Sequence, residues 1–368
     1  MMRHKDHAGE SSGEIKKAGV YFGIDLGTSN CSVSYVVASQ RRNIGIQPKV
    51  VEFPFGGDKG QKSARFPSVI AKKGTEKSGK KSLYGFDAED RNRFSLGVDV
   101  FRSIKSHLGT LRSYIHAFIG DFKSPVSAWG LLIERLSVLT AQGTANKYDP
   151  RKYPTILTVP ASFDFQRRQE TINAAVKAGF DRENIKLIDE PIAALIDWIS
   201  GPEADPSLLK KDEWSNILVF DFGGGTCDLS LVAARYAEGA PLDLEIKNLA
   251  ISPYGLLGGD TIDLAAMAYL WPQIEALTGI GRARLSAMDR KLVEDANRLT
   301  CRTLKEKMCV ALGKLDPEDR KRCRWGTVVM KELLVKGVVL STGETIAGRV
   351  ELSAQAFREI MQPFLECV

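Results

Sequence analysis

Asn216-Ile-Leu-Val-Phe-Asp-Phe-Gly-Gly-Gly-Thr-Cys-Asp-Leu-Ser-Leu-Val232 is the stretch that decides the reading of this chain. Its apolar run, Ile217 to Phe220, predicts a buried strand that ends on a carboxylate, Asp221. A tight turn follows, Gly223-Gly224-Gly225-Thr226, and a second strand leaves it from about Cys227 to Ala233. The unit is therefore a hairpin and not a strand-to-helix phosphate loop. Three glycines remove every Cβ from the turn, so a ligand can approach the backbone N–H groups closely. Clustered N–H groups in such a concavity bind anions, phosphate above all. A carboxylate beside them would repel phosphate unless a cation lay between, and Mg²⁺ is the hard, oxygen-seeking choice.

Val20-Tyr-Phe-Gly-Ile-Asp-Leu-Gly-Thr-Ser-Asn-Cys-Ser-Val-Ser-Tyr-Val36 has the same layout. Asp25 matches Asp221, Gly27 matches Gly223, Asn30 matches Thr226 and Cys31 matches Cys227. The copies lie too far apart for a solenoid repeat and suit a duplicated domain. Two such hairpins facing each other would grip a polyphosphate from both sides, with one metal between two aspartates. That arrangement is a nucleotide site between two lobes.

At 368 residues the chain is long enough for two domains with full cores. Hydrophobic residues make up 43% and charged residues 26%, as in ordinary soluble globular proteins. The net charge of +6 is modest and its basic residues form no long run, which argues against a nucleic-acid partner. The lysines between Lys72 and Lys81 read as a solvated loop. No apolar run approaches the ~20 residues that span a bilayer, so no membrane partner is expected. Residues 1–19 read as a polar, disordered leader without the apolar segment of a secretory signal. The six cysteines show no CxxC pair and no metal-ligand spacing, which fits reduced thiols in a cytoplasmic protein.

In chain order, strands are expected at Lys49 to Phe53 and Phe66 to Ala71. Gly74-Thr-Glu-Lys-Ser-Gly-Lys80 approaches a P-loop, but Lys81 stands where Ser or Thr must hold the metal, so the pattern fails. Val98 to Leu108 has helical spacing and carries Lys105. Pro125 to Ala145 predicts an amphipathic helix with Trp129, Leu132, Ile133, Leu136 and Leu139 on one face. A strand over 153–160 and a helix from Gln166 to Ala178 follow. Ile185 to Ile188 is a short strand, and Asp189-Glu190-Pro191 opens a helix to Ile199. A carboxylate at such a junction lies where open α/β folds build their sites, or simply caps the helix. A surface loop, residues 201–214, leads to the second hairpin and to a strand over 242–251. Gly255-Leu-Leu-Gly-Gly-Asp260 then starts a helix from Thr261 to Leu277, whose free N–H groups behind Gly258 and Gly259 could hold a further phosphate. A long charged helix, Met288 to Leu312, precedes short strands near Gly337 to Leu340 and Arg349 to Leu352. A last helix is capped by Ser353 and broken by Pro363.

Five ordered motifs now carry a resemblance: Ile24-Asp-Leu-Gly-Thr-Ser-Asn, Leu157-Thr-Val-Pro-Ala-Ser-Phe, Ile188-Asp-Glu-Pro-Ile-Ala-Ala, Phe220-Asp-Phe-Gly-Gly-Gly-Thr-Cys-Asp and Leu257-Gly-Gly-Asp. Together they resemble the nucleotide-binding domain of the 70-kDa heat-shock chaperones, in a divergent bacterial form. The resemblance implies an α/β, actin/hexokinase-like fold of two lobes with duplicated mixed sheets and ATP or ADP in the cleft. Lobe I would span residues 20–200 and lobe II residues 201–368, the latter incomplete at its C-terminal end. Asp25 and Asp221 resemble the aspartates that orient a hydrated Mg²⁺. Gly27, Thr28, Ser29 and Asn30 would form the first phosphate loop, and Gly223, Gly224, Gly225 and Thr226 the second. Glu190 resembles the glutamate that positions the attacking water, with Asp228 another acid near it. Lys105 resembles the lysine that reaches the γ-phosphate, and Pro160 the proline of the interlobe switch. The implied activity is slow ATP hydrolysis driving a conformational change between lobes. Implied partners are a J-domain co-chaperone, a nucleotide exchange factor and, through regions outside these residues, a client protein.

The adenosine pattern of that family departs here. Lys305 is kept, but Arg302 stands for an acid and Cys309 for a serine. The Gly-Gly-x-Ser/Thr-Arg segment, the interdomain linker and the peptide-binding β-domain are not found within the chain. Two alternatives on the same fold remain: a sugar or metabolite kinase, for which Asp164 is the one candidate base, and a non-hydrolysing, actin-like nucleotide sensor. Intact Glu190 and Thr226 weigh against an inactive site.

Overall fold

In the computed structural model, residues 19–38, 48–55, 60–73, 81–89, 99–109, 124–201, 207–238, 244–253, 255–321, 328–334 and 338–366 are described. The leader up to residue 18 and the P-loop-like segment 74–80 lie outside them; Gly19 already opens the first strand. The architecture is mixed α/β with several sheets.

The first sheet is built on β1 (Gly19–Leu26) and β2 (Asn30–Ala38), an antiparallel hairpin. Two parallel neighbours extend it, β3 (Thr155–Val159) against β1 and β4 (Ile185–Asp189) against β3. Short strands Lys49–Val50 and Phe66–Pro67 pair with β2. Along β1 alternate residues Val20, Phe22, Ile24 and Leu26 are buried while Tyr21 and Asp25 face out. The period of two thus directs the apolar set inward and leaves the aspartate available. The inward face packs on α1 (Pro125–Gly143), whose Trp129, Leu132, Ile133 and Leu136 are fully buried, and on Ala174 and Ala175 of α2 (Phe165–Lys177). Each such large side chain contributes roughly 1.5–3 kcal/mol on burial. The chain leaves α1 through left-handed Ala145 and Asn146, which end it two residues earlier than its apolar spacing suggests.

The second sheet is β5 (Ser215–Phe222), β6 (Cys227–Tyr236) and β7 (Leu244–Ile251), all antiparallel. Its hairpin repeats the register of the first. Asp25 stands opposite Ser32 and Leu26 opposite Cys31; Asp221 stands opposite Asp228 and Phe222 opposite Cys227. Helix α3 (Glu190–Ser200) lies on this sheet, with Ile192, Leu195 and Ile199 packed against Ile217, Val219, Val232 and Ala234. The expectation that β5 is buried holds only in part: Ile217 and Val219 on that face are half-buried. Leu218 is 64% exposed and Phe220 52%, because β5 is a sheet edge and no described element covers its outer face.

A further core joins α4 (Gly259–Thr278), α5 (Ala287–Gly313) and α6 (Ala354–Leu365) to the pair β8 (Val329–Leu333) and β9 (Arg349–Ser353). Ser353 caps α6 as expected, accepting from the Ala356 amide. Pro363 does not break it: the helix runs on to Leu365. Proline there forfeits a single backbone bond close to the helix end, where little helix remains to disrupt. The helix expected over 98–108 is likewise replaced, by a strand, Asp99–Phe101, and a 3₁₀ turn, Ile104–His107. Ser103 separates them with φ 51°, a left-handed residue that no continuous helix accommodates.

Candidate functional site

The two glycine turns touch. A Cβ on Gly224 would lie 2.0 Å from Ser29 Oγ, and one on Gly225 would lie 2.7 Å from both Thr28 Cγ2 and Ser106 Oγ. Each turn is held by its own strands. The Gly223 amide donates to the Thr226 carbonyl at 2.8 Å, while Ser68 donates its hydroxyl to the Gly27 carbonyl and its amide to the Ser29 carbonyl. A Cβ on Gly27 would meet the Asn30 carbonyl oxygen at 2.2 Å, so glycine is required to close that turn. Thr28 and Thr226 are buried at the contact, whereas Asn30 is exposed.

The third glycine pair joins the same cluster, but with its amides already engaged. Gly259 N–H donates to the Gly223 carbonyl and Asp260 N–H to the Gly224 carbonyl. A Cβ on Gly258 would stand 2.7 Å from the Gly225 backbone. The expected free N–H groups at the start of α4 are therefore spent on the second loop. The sequence signal for a helix N-terminus is sound, but it does not reveal which carbonyls a turn will present to it.

Behind the loops lies a concentration of charge. Lys105, in the 3₁₀ turn, is buried and donates through Nζ to Glu190 Oε1, at the first residue of α3. Phe163 lies 6.0 Å beneath the same ammonium. Burial alone would lower the pKa of Lys105; Glu190 and Asp25 outweigh it and hold it above the ordinary lysine value. Burial raises Glu190 above its ordinary value, Lys105 opposes this, and Asp25 and Asp221 add to the rise. Asp221 is raised by burial too, with Lys105 opposing and Asp228 and Asp25 adding. One lysine thus faces three mutually repelling carboxylates, Glu190, Asp25 and Asp221, a balance that a further cation would relieve. Among the described residues no group of three or more His, Cys, Asp or Glu side chains converges as a coordination shell. An ion such as Mg²⁺, which keeps several waters and binds phosphate oxygens, suits two aspartates acting through water.

Residues that the sequence reading passes over complete the site. Thr158 Oγ1 donates to Asp25 at 2.6 Å, and Ser162 Oγ donates to buried Asp228, whose Oδ2 has no partner. Both lie in the quoted Leu157 to Phe163 motif, whose hydroxyls are the available signal. Ser106, whose buried Oγ has no partner, faces Gly225. Asp189 does not cap α3 through its side chain; it pairs with Arg168 at 2.7 Å. Pro160 ends β3 and accepts the Phe163 amide.

Lys305 and Arg302 are tied up in ion pairs. Lys305 Nζ lies 2.6 Å from Asp263, whose side chain is fully buried, and donates to the Gly259 carbonyl at 2.8 Å. Arg302 reaches Asp260, Asp263 and Glu89 at 3.3–3.6 Å, and Cys309 is exposed. Ser103 also donates to Asp260. Cys31, Cys227, Cys301 and Cys309 are all free thiols, and burial pushes those of Cys31 and Cys301 up to about 12. Among the described residues no helix is long and apolar enough to cross a membrane.

The first hairpin lies outside the region that comparison with known families recognises, whereas Glu190, the second hairpin and Lys305 lie inside it. The model of the Hsp70 protein family matches residues 139–311, and over that span the chain is similar to that family.

Proposed function

We propose that the chain binds and slowly hydrolyses Mg-ATP as the nucleotide-binding module of an Hsp70-like chaperone. The observation that supports this most is the direct apposition of two hairpins of identical register, with Lys105 and Glu190 paired behind them. Backbone amides of Gly27 to Asn30 and Gly224 to Thr226 hold the phosphates once the loops part, while the Gly223 amide, bonded to the Thr226 carbonyl, shapes the second turn. Lys105 then exchanges Glu190 for a phosphate oxygen. Glu190, freed of its partner and with a raised pKa, accepts a hydrogen bond from the attacking water and orients it. Asp25 and Asp221 are the residues that would hold Mg²⁺, which would supply positive charge against the phosphates. Residues 20–200 and 201–368 act as two lobes about this cleft. A J-domain protein and a nucleotide exchange factor are the partner classes expected of such a cycle.

A sugar kinase is the weaker reading. Asp164, its candidate base, instead caps α2, accepting from the Arg167 amide at 2.8 Å and pairing with the Arg167 guanidinium. Phosphate release from ATP, measured with and without a panel of sugars, tests the proposal. Turnover independent of sugar supports it; turnover that requires a sugar, or none at all, contradicts it.

A further inference from the structure

A small cavity of about 80 Å³ is lined by none of the glycine-loop residues. One wall is Phe101, Arg102 and His107, around the strand and 3₁₀ turn that precede and carry Lys105; the other is Lys291, Asp295 and Arg298 on α5. The walls are far apart in the chain. The Arg102 side chain is only 9% exposed, and its ion pair engages Nη1, with Glu89 at 3.2 Å. Its Nε and Nη2 are buried without a hydrogen-bond partner. Arg298 repeats the pattern: Nη2 reaches Asp260 at 3.6 Å, and Nε is buried and unpartnered. Burial lowers the pKa of Arg102, Glu89 opposes this, and the neighbouring Arg302 and Arg298 lower it further. Burial likewise lowers His107, with Arg298 adding to the fall and Asp260 opposing it. Asp295, which pairs with Lys291, is the single acid of the lining.

Buried guanidinium N–H groups without acceptors are costly, and an edge of Nε and Nη2 matches two oxygens of one oxyanion. The cavity is well above the ~10–15 Å³ that a water needs, yet far too small for a nucleoside. We propose that it is a site for a small, free tetrahedral oxyanion of the phosphate or sulfate class, bound between the Arg102 and Arg298 side chains. Nucleotide binding plays no part in it. An occupied site ties the 99–107 segment to α5.

The test is calorimetric titration of the whole chain with inorganic phosphate, at fixed ionic strength and with saturating Mg-ADP present. One phosphate should bind per chain, sulfate should compete and chloride should not. Arg298→Gln and Arg102→Gln should each weaken binding about tenfold or more, the usual worth of a hydrogen bond to a charged group. Arg298 is the more exposed of the two, so its variant keeps the test open if Arg102→Gln fails to fold. Asp295→Asn should tighten binding about two- to threefold by removing the one acid. Loss of phosphate binding on adding Mg-ADP, or unchanged affinity in Arg298→Gln, overturns the proposal. Displacement by phosphoserine would assign the cavity to a phosphorylated segment and equally overturn it.

Discussion

Lys105 and Glu190, 85 positions apart, form a buried ion pair that joins the 3₁₀ turn after the strand Asp99–Phe101 to the first residue of α3. Because α3 follows β4 of the first sheet yet packs on the second, this pair sits at the junction of both. Anything that pulls Lys105 toward a ligand releases Glu190 at the same moment. Lys105→Ala and Glu190→Ala should each leave nucleotide bound but slow hydrolysis at least ~10²-fold, the usual worth of one positioned group. Normal hydrolysis in Lys105→Ala would remove the lysine from the mechanism.

The same pair sets a pH dependence. Glu190 is raised above its ordinary value by burial, and Lys105 limits the rise. If the ionised form is the active one, the rate falls as pH drops through this raised pKa. Replacing Lys105 by Gln removes the opposing charge, so the acid limb of the residual rate should move to higher pH. A limb that stays in place, or moves down, contradicts the assignment of Glu190.

For the metal, Asp221→Asn should weaken Mg-ATP binding far more than metal-free ADP binding, since phosphate loops of backbone N–H alone do not neutralise a triphosphate. Equal losses for both ligands, measured by calorimetry, would dismiss the bridging role of Asp221 and Asp25.

Lys305 offers a separation of structural and ligand roles. Its partner Asp263 has a fully buried side chain, and burial raises that carboxyl against the pull of Lys305 and Arg302. Lys305→Met should cost roughly 1–3 kcal/mol in denaturant unfolding, because Asp263 loses its nearer cation and keeps the more distant Arg302. The double variant Lys305→Met, Asp263→Leu should recover most of that loss. If stability returns while ATP affinity stays low, Lys305 also holds nucleotide; if both return, its role is structural alone.

Much of this was legible in the sequence because hairpin chemistry is local. Asp221, the glycines and the flanking strands lie within one short stretch, and the second copy at Asp25 repeats its layout. The strand-to-helix junction expected at Asp189-Glu190 is where β4 gives way to α3. What was not legible depended on distant partners. Nothing near Gly258 announces that the carbonyls of Gly223 and Gly224 will occupy the first amides of α4. Nothing in the pattern of β5 shows that only one face will be covered. The helix assigned to 98–108 failed on a single left-handed residue, Ser103, whose side chain donates to Asp260, far along the chain.

The glycines of the contact give a stability test with an internal control. A Cβ on Gly224 collides with Ser29, so Gly224→Ala should destabilise by about 1–3 kcal/mol through overpacking. At Gly313, the last residue of α5, an added Cβ would meet nothing within 4 Å, so Gly313→Ala should stabilise by roughly 0.5–1 kcal/mol. Equal effects at both sites would mean that the loops are not in contact in solution.

The central claim is that two opposed glycine hairpins hold one nucleotide, and calorimetric titration of Mg-ATP tests it most directly. Wild type should bind one ATP per chain, and Gly225→Val, which puts a branched side chain on the turn whose bare backbone the phosphates must approach, should abolish that binding in a folded protein. No saturable binding by wild type, or equal binding by folded Gly225→Val, would contradict it.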